Sequence, residues 1–420
     1  MRMPRRAAAV LLVASVLSGC TGVTTPMPTP TPTASTAAPT ERTGDGVLTI
    51  GTLFPSSGDL KFLGPALRAG VDAAVREINA AGGVNGEKVV VVHRDSGDAG
   101  AKTAEKSFAE LVEKGADVVI GPSSSVLAQR LLGPAAEAGI PLISPAATYP
   151  QLTLLDEADV FFRTIASYPH QAFPIADLLV ADEVATAAIV YREGDLGGSL
   201  AAALEAAVAD RGIGLTAVPV AADADDDALK AAVAAVKKAK PVTVVLATPD
   251  NRADTRTLIR RLVAAGYTGK KLLLTTQNTA DYSQSLKAVR MQGVRGLLDG
   301  IDPGEAFTAK VRKEDSDVGR VYYAAEAYDA TMLAALAAVL AGDDAPAAVR
   351  GKLRDASVGG IKCTTYAECL RVLETQPDID YDGVSGPVNL DEAGDPTRGA
   401  YQVVAYKRGN KYSRTDTVVG

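Results

Sequence analysis

Asp117-Val118-Val119-Ile120-Gly121-Pro122-Ser123-Ser124-Ser125 and, further on, Pro141-Leu142-Ile143-Ser144-Pro145-Ala146-Ala147-Thr148-Tyr149-Pro150 decide how this chain folds. Each is a short apolar, β-branched run that stops abruptly at a loop of small and hydroxyl residues. The runs Asp117–Ile120 and Pro141–Ser144 are too short for helices and read as buried strands. A helical pattern begins directly after Ser125, so the pair forms a strand–helix–strand unit with parallel strands. The same alternation continues outward in both directions. Upstream lie a strand at Val47–Leu53, a helix at Pro65–Asn79, a strand at Lys88–His93 and a helix at Ala101–Lys114. In the first helix Leu67, Val71, Ala74, Val75 and Ile78 recur at helical spacing, and Gly82-Gly83 ends it. Downstream, strands are predicted at Thr186–Tyr191, Leu215–Val220, Thr243–Ala247 and Lys271–Thr275, again with helices between them. The predicted class is α/β, with two doubly wound, parallel-sheet lobes. From Tyr381 to Tyr412 the style changes to Gly, Asp and short β-type runs with no helix signal.

The ends bound the cellular setting. Arg2, Arg5 and Arg6 precede an apolar run from Ala7 to Leu17 and then Leu17-Ser18-Gly19-Cys20, the pattern of a secretory signal over residues 1–19. The run falls short of the roughly 20 apolar residues that span a bilayer. Cys20 directly after Leu-Ser-Gly resembles a lipobox, which implies acylation of its thiol and a lipid anchor at the outer face of a membrane. Residues 20–46 are almost entirely Thr, Pro, Ala, Ser and Gly, bury nothing and read as an extended tether. The body, Val47–Gly420, holds 374 residues, enough for two domains. The formal charge is −7, and −10 without the three leader arginines, and no basic cluster interrupts the body. Nucleic acid is therefore not an expected partner.

Cys363 and Cys369 are a lone pair in an exported chain, which predicts a disulfide. The only histidines are His93 and His170, far apart in sequence, so no metal site is expected and no cofactor is implied. A serine hydrolase would need one of them beside Ser123–Ser125, and no Gly-x-Ser-x-Gly elbow exists. No phosphate-cradling loop ending in Gly-Lys-Ser/Thr exists either. In open α/β sheets ligands bind outside the carboxyl ends of the strands. There Ser123–Ser125 offer hydroxyls at the positive end of a helix, a natural carboxylate seat, although a Ser in that place can equally be an N-cap. The loop Pro145–Pro150 adds the Thr148 hydroxyl and exposed backbone groups.

Four segments in order resemble leucine/isoleucine/valine-binding proteins, the extracytoplasmic receptors of ABC importers. They are Ile78-Asn79-Ala80-Ala81-Gly82-Gly83-Val84-Asn85-Gly86; Gly121-Pro122 with Ser125 and Ile143 to Thr148; Tyr328-Asp329-Ala330; and Gly386-Pro387-Val388-Asn389-Leu390 with Gly394-Asp395. The resemblance implies a monomer of two lobes joined by a hinge that the chain crosses three times. Lobe one would comprise residues 47–166 and 296–376, and lobe two residues 167–295 and 377–420. It further implies a small-molecule solute and a permease in the membrane below. The solute would be a branched-chain or other amino acid. The alternative is a sensor that presents an amide, urea-like or aromatic-acid solute to a membrane signalling partner.

By this resemblance Ser125, Ala146 and Thr148 hold the solute carboxylate, with Ala147 beside them and Tyr149, Tyr323 and Phe62 as wall or closing residues. Lobe two departs from the family pattern. Leu196 stands where a Tyr is common, and Gln277 stands where an acidic partner of the solute amino group is expected. Asp250 or Asp281 could supply the missing charge.

Overall fold

The structure, a computed structural model, describes residues 42–155, 158–249 and 253–420. The expected leader, Cys20, the tether up to residue 41 and Asp250 lie outside the described residues. Lobe one opens with β1 (Thr49–Phe54), α1 (Gly64–Ala80), β2 (Val90–Asp95), α2 (Thr103–Glu113), β3 (Val118–Ile120), α3 (Ser125–Ala138), β4 (Leu142–Ser144) and β5 (Phe161–Arg163). These strands form one parallel sheet in the order β2-β1-β3-β4-β5. α1 buries Leu67, Val71 and Ile78 against it, each worth about 1.5–3 kcal/mol of transfer free energy.

The chain then crosses into lobe two. There α4 (Ala172–Ala181), β6 (Thr186–Arg192), α5 (Asp195–Ala209), β7 (Gly214–Val220), α6 (Asp226–Ala239), β8 (Thr243–Ala247), α7 (Ala253–Ala264), β9 (Leu272–Leu274) and β10 (Arg295–Asp299) repeat the winding. It returns to lobe one for α8 (Gly304–Glu314), α9 (Ala324–Ala341), α10 (Pro346–Lys352), β11 (Ile361–Cys363), α11 (Tyr366–Leu373), β12 (Ile379–Gly383) and β13 (Gly386–Pro387). A last crossing delivers β14 (Ala400–Tyr406) and β15 (Tyr412–Val419) to lobe two. Lobe two's sheet runs β15-β14-β10-β9-β8-β6-β7, with parallel pairing from β10 to β7 and antiparallel pairing of β14 with both β10 and β15.

α9 is the axis of lobe one. Ala324 through Ala338 are all buried, the carboxyls of Glu326 and Asp329 among them, and a helix covered on every side belongs inside a core. It lies close against α1 because Gly70 leaves room: a methyl group there would stand 2.3 Å from the Ala324 carbonyl oxygen.

Two expected lobe boundaries shift. Placing the second crossing at 295/296 cuts β10, whose five residues all pair with β14 in lobe two, so the chain crosses after Asp299. Placing the third at 376/377 assigns β12 and β13 to lobe two, but Ile379, Tyr381, Val388 and Leu390 are part of the lobe-one core. The buried Asp329 carboxylate of α9 explains this. It accepts hydrogen bonds from the Tyr381 hydroxyl (2.8 Å), Val384 N–H (3.0 Å), Ser385 N–H (2.6 Å) and the Ser385 hydroxyl (2.5 Å). The expected tether is also shorter than 20–46. Arg42 donates to the Ala116 carbonyl (2.9 Å), and the N–H groups of Asp45 and Gly46 reach Asp344 (3.1 and 2.9 Å). Cys363 and Cys369 are joined by a disulfide that ties β11 to α11. Closing so short a loop removes about 2 kcal/mol of entropy from the unfolded chain.

Candidate functional site

In each lobe the first strand sits between the second and the third, so the switch of strand order falls between β1 and β3 and between β6 and β8. A crevice opens at the carboxyl ends of such strands. In lobe one the loops after β3 and β4 meet there. The Ser144 hydroxyl donates to the Pro122 carbonyl (2.6 Å) and accepts from the N–H groups of Ala147 (3.0 Å) and Ala146 (3.4 Å), stapling the two loops together.

Ser124 is the N-cap of α3, its hydroxyl accepting from Leu127 N–H at 3.5 Å. Ser125 is therefore the first helical residue and not the cap. Its hydroxyl oxygen accepts from the N–H groups of Thr148 (3.1 Å) and Tyr149 (3.3 Å). A serine oxygen has two lone pairs and one proton. With both lone pairs engaged, what Ser125 offers is its proton. The first-turn N–H groups of α3 lie beside it with the positive end of the helix dipole. Thr148 is half-buried next to Ser125 and passes its carbonyl to Tyr168 N–H at 2.8 Å. Ser125 and Thr148 thus stand side by side with their hydroxyls to offer, on a loop whose N–H groups at residues 146–149 are already donated to Ser144 and Ser125.

Beneath this loop lies a pair that the sequence reading missed. Arg163, fully buried at the end of β5, donates to the carbonyls of Ala147 (3.1 Å) and Tyr149 (2.9 Å). Its other face meets Asp395 in a two-pronged ion pair at 2.5 and 2.6 Å, and Thr153 completes Asp395 at 3.1 Å. Holding the carbonyls from below turns the N–H groups of residues 146–149 upward, toward Ser144 and Ser125. The available signal was a lone Arg within the apolar Phe161-Phe162-Arg163.

Across the hinge, Tyr168 donates to the Thr275 hydroxyl (3.2 Å), and the Gln171 side chain accepts from Thr276 N–H (3.1 Å). These bonds link the donor loop of lobe one to the loop that carries Gln277. Gln277 is half-buried, and Leu196 packs on the lobe-two core at the start of α5. Asp281 is exposed and turned to Ser283 N–H at 2.9 Å. Phe62 is 62% exposed in the turn after Gly58. Tyr323 instead lines a cavity of about 410 Å³ between the lobes, together with Thr276, Asp299 and Glu326. The last two carboxyls were not anticipated. Burial pushes Asp299 up to about 7 and Glu326 up to about 8.

The hydrogen-bond partners of both histidines are groups other than Ser123–Ser125. His93 Nδ1 is 2.7 Å from the Thr52 hydroxyl and its Nε2 3.1 Å from Asp72, while His170 Nδ1 is 2.9 Å from the Ser167 hydroxyl. Among the described residues no cluster of three metal-ligating side chains occurs.

Two wound lobes with polar loops at their carboxyl edges define a bilobal solute receptor. The family model for periplasmic binding proteins matches residues 47–410, and the chain belongs to that family, as its resemblance to leucine/isoleucine/valine-binding proteins implied. Such proteins are extracytoplasmic, bind small-molecule solutes and work with ABC transporters. The chain is 29% identical over 374 residues to the chemotactic signal transduction system substrate-binding protein BasB of Halobacterium salinarum, covering 84% of this chain and 85% of that one. It is 33% identical over 168 residues to Leu/Ile/Val-binding protein homolog 3 of Brucella melitensis, covering 40% and 45%. An ABC transporter substrate-binding protein from Desulfitobacterium hafniense, solved in complex with Leu, superposes with a TM-score of 0.65 at 22% identity. That match covers 88% of this chain and all of that one, and it shows the shared fold.

Proposed function

We propose that this protein captures a small carboxylate-bearing solute, a branched-chain or similarly apolar amino acid, and delivers it to an ABC permease. The observation that carries this reading is the Ser125–Thr148 donor group. The Ser125 oxygen accepts two internal N–H bonds, which leaves its hydroxyl proton to give, at a helix N-terminus where negative charge is favoured. The role is capture without turnover. The apolar amino acid is suggested by the Brucella homologue's name.

A hydrogen bond to a charged group is worth roughly 1.5–3 kcal/mol. Ser125→Ala and Thr148→Ala are each expected to weaken binding by about 10- to 150-fold while the fold persists. A thermal-shift panel of amino acids, amides and aromatic acids would identify the solute, and calorimetric titration of both variants would check the site. Unchanged dissociation constants in both would place the site on other loops.

Anchoring is proposed through a lipid on Cys20, followed by the Thr/Pro-rich tether. Cys20→Ala is expected to release the protein from membranes with its binding intact. A variant that stays fully membrane-bound in fractionation refutes the anchor. The second reading is a sensor for a membrane signalling partner, favoured by the long match to BasB. Labelled-solute uptake separates the two: a deletion strain that keeps its uptake but loses its response supports the sensor.

A further inference from the structure

We propose that the solute carries a cationic group and that Asp299 and Glu326 seat it, in the cavity beside the second crossing, which makes good the charge that Gln277 lacks. This rests on the solute-receptor reading above and narrows its substrate class.

The cavity is built by both lobes. Thr276, Asp299 and Gln402 come from lobe two, and Tyr322, Tyr323 and Glu326 from lobe one. Its volume of about 410 Å³ lies within the range of small-ligand pockets. Glu326 is 5% exposed, in the first turn of α9. Apart from its own backbone N–H, no donor among the described residues reaches its carboxyl. Gly300 makes room for it, since a methyl group there would stand 2.2 Å from Glu326 Oε1. The cavity's arginines are committed elsewhere. Arg312 donates to the carbonyls of Val318 and Gly319 at 3.2 and 3.0 Å, and Arg320 to the Tyr322 hydroxyl. Asp302, at the rim, is paired with Arg414 at 2.7 Å. Two secluded carboxyls thus face a space with no protein cation paired to them.

Protonation fits the same chemistry. Burial raises both carboxyls; the like charges of Asp329 and Asp299 add to it at Glu326, while a hydrogen bond from the Thr276 side chain offsets part of it at Asp299. Both carboxyls therefore titrate near neutral pH. An arriving ammonium favours their ionised forms and so displaces protons.

The test uses matched pairs: L-leucine against 4-methylpentanoate, and L-phenylalanine against 3-phenylpropanoate. Each is titrated calorimetrically into the full-length protein at pH 6.5 and 8.5, in buffers of different ionisation heat. The ammonium-bearing member of a pair is expected to bind at least about 10-fold tighter than its partner. It should bind tighter at pH 8.5 than at 6.5 and release protons on binding. Glu326→Gln and Asp299→Asn are expected to remove most of that preference. The proton release is read on the unaltered protein, so the test does not depend on the variants folding.

Equal binding of both members, or ammonium binding with no proton release, overturns the proposal. Binding of an aromatic acid or amide from the wider panel while every ammonium-bearing probe fails overturns it together with the amino-acid assignment, and leaves standing the capture of a small solute. No stabilisation by any probe overturns both.

Discussion

Asp395→Ala is expected to lower the unfolding free energy by about 3–5 kcal/mol, the cost of stranding a buried charge, and to abolish measurable solute binding. Arg163 has no exposed surface, and its guanidinium is bonded on one side to Asp395 and on the other to the carbonyls of Ala147 and Tyr149. Removing the carboxylate leaves a cation in the core and unclamps the donor loop. Arg163→Met should cost a similar amount. Replacing both partners with apolar groups, Arg163→Met with Asp395→Leu, should recover much of the stability, because no charge is then left unpaired. Binding should not recover, since the carbonyls of residues 147 and 149 would have lost their anchor. Urea unfolding and calorimetric titration of the three variants check this. Single changes that cost under about 1 kcal/mol would mean that the pair is solvated and that the loop holds itself.

The ligand-free protein is expected to lose stability as pH rises from about 5 to about 8.5. Asp299 and Glu326 sit near 7 and 8 in the fold, well above the ordinary carboxylate range, and burial also raises Asp117 to about 7. Between the unfolded and folded values the native state holds more protons, so stability falls with rising pH. A rise of that size is on the order of 4 kcal/mol per carboxyl when water is fully excluded. Access through the cavity mouth to Asp299 and Glu326, and the Arg42 guanidinium beside Asp117, reduce it, leaving on the order of 2–4 kcal/mol for the three together. His170 opposes this below about pH 6.5, because burial pushes its imidazole down. On the acid side, Asp95 sets the limit. Burial raises its carboxyl, but the Ser57 hydroxyl and the N–H groups of Ser56 and Gly97 outweigh that and hold it at about 2. Its contribution is present above about pH 4 and is lost as pH falls toward 2. Calorimetric melting at pH 5.5, 7.0 and 8.5 reads the slope, and Asp299→Asn with Glu326→Gln should flatten it. A melting temperature that rises from pH 6 to 8.5 would contradict the protonation assigned here.

The parts legible in the sequence were those with local causes. Strand runs that stop at Gly121 and Ser144, the helix that starts at Ser125 and the glycine stop after α1 are each encoded within a few residues. Arg163 and Asp395 meet across more than two hundred residues, and nothing local to Phe161-Phe162-Arg163 marks the partner. Glu326 reads as an ordinary acid in the first turn of a helix until the packing of α9 against Gly300 encloses it. β12 and β13 carry strand-like residues that suit either lobe, and only the Asp329 carboxylate assigns them. β10 was missed because five residues with an Arg and a Gly at one end resemble a connector.

The pairing of β10 with β14 sets a timetable. Arg295 lies opposite Ala405, so the second part of lobe one is synthesised and exported between two strands that must lie side by side. Until β14 emerges, β10 keeps an open edge, and open edges invite pairing with other chains. Contacts between such distant segments also form slowly. A truncated or stalled chain would therefore contain a largely complete lobe one and an adhesive, unfinished lobe two. Quality control in the exporting cell would be expected to meet this protein most often in that half-made form.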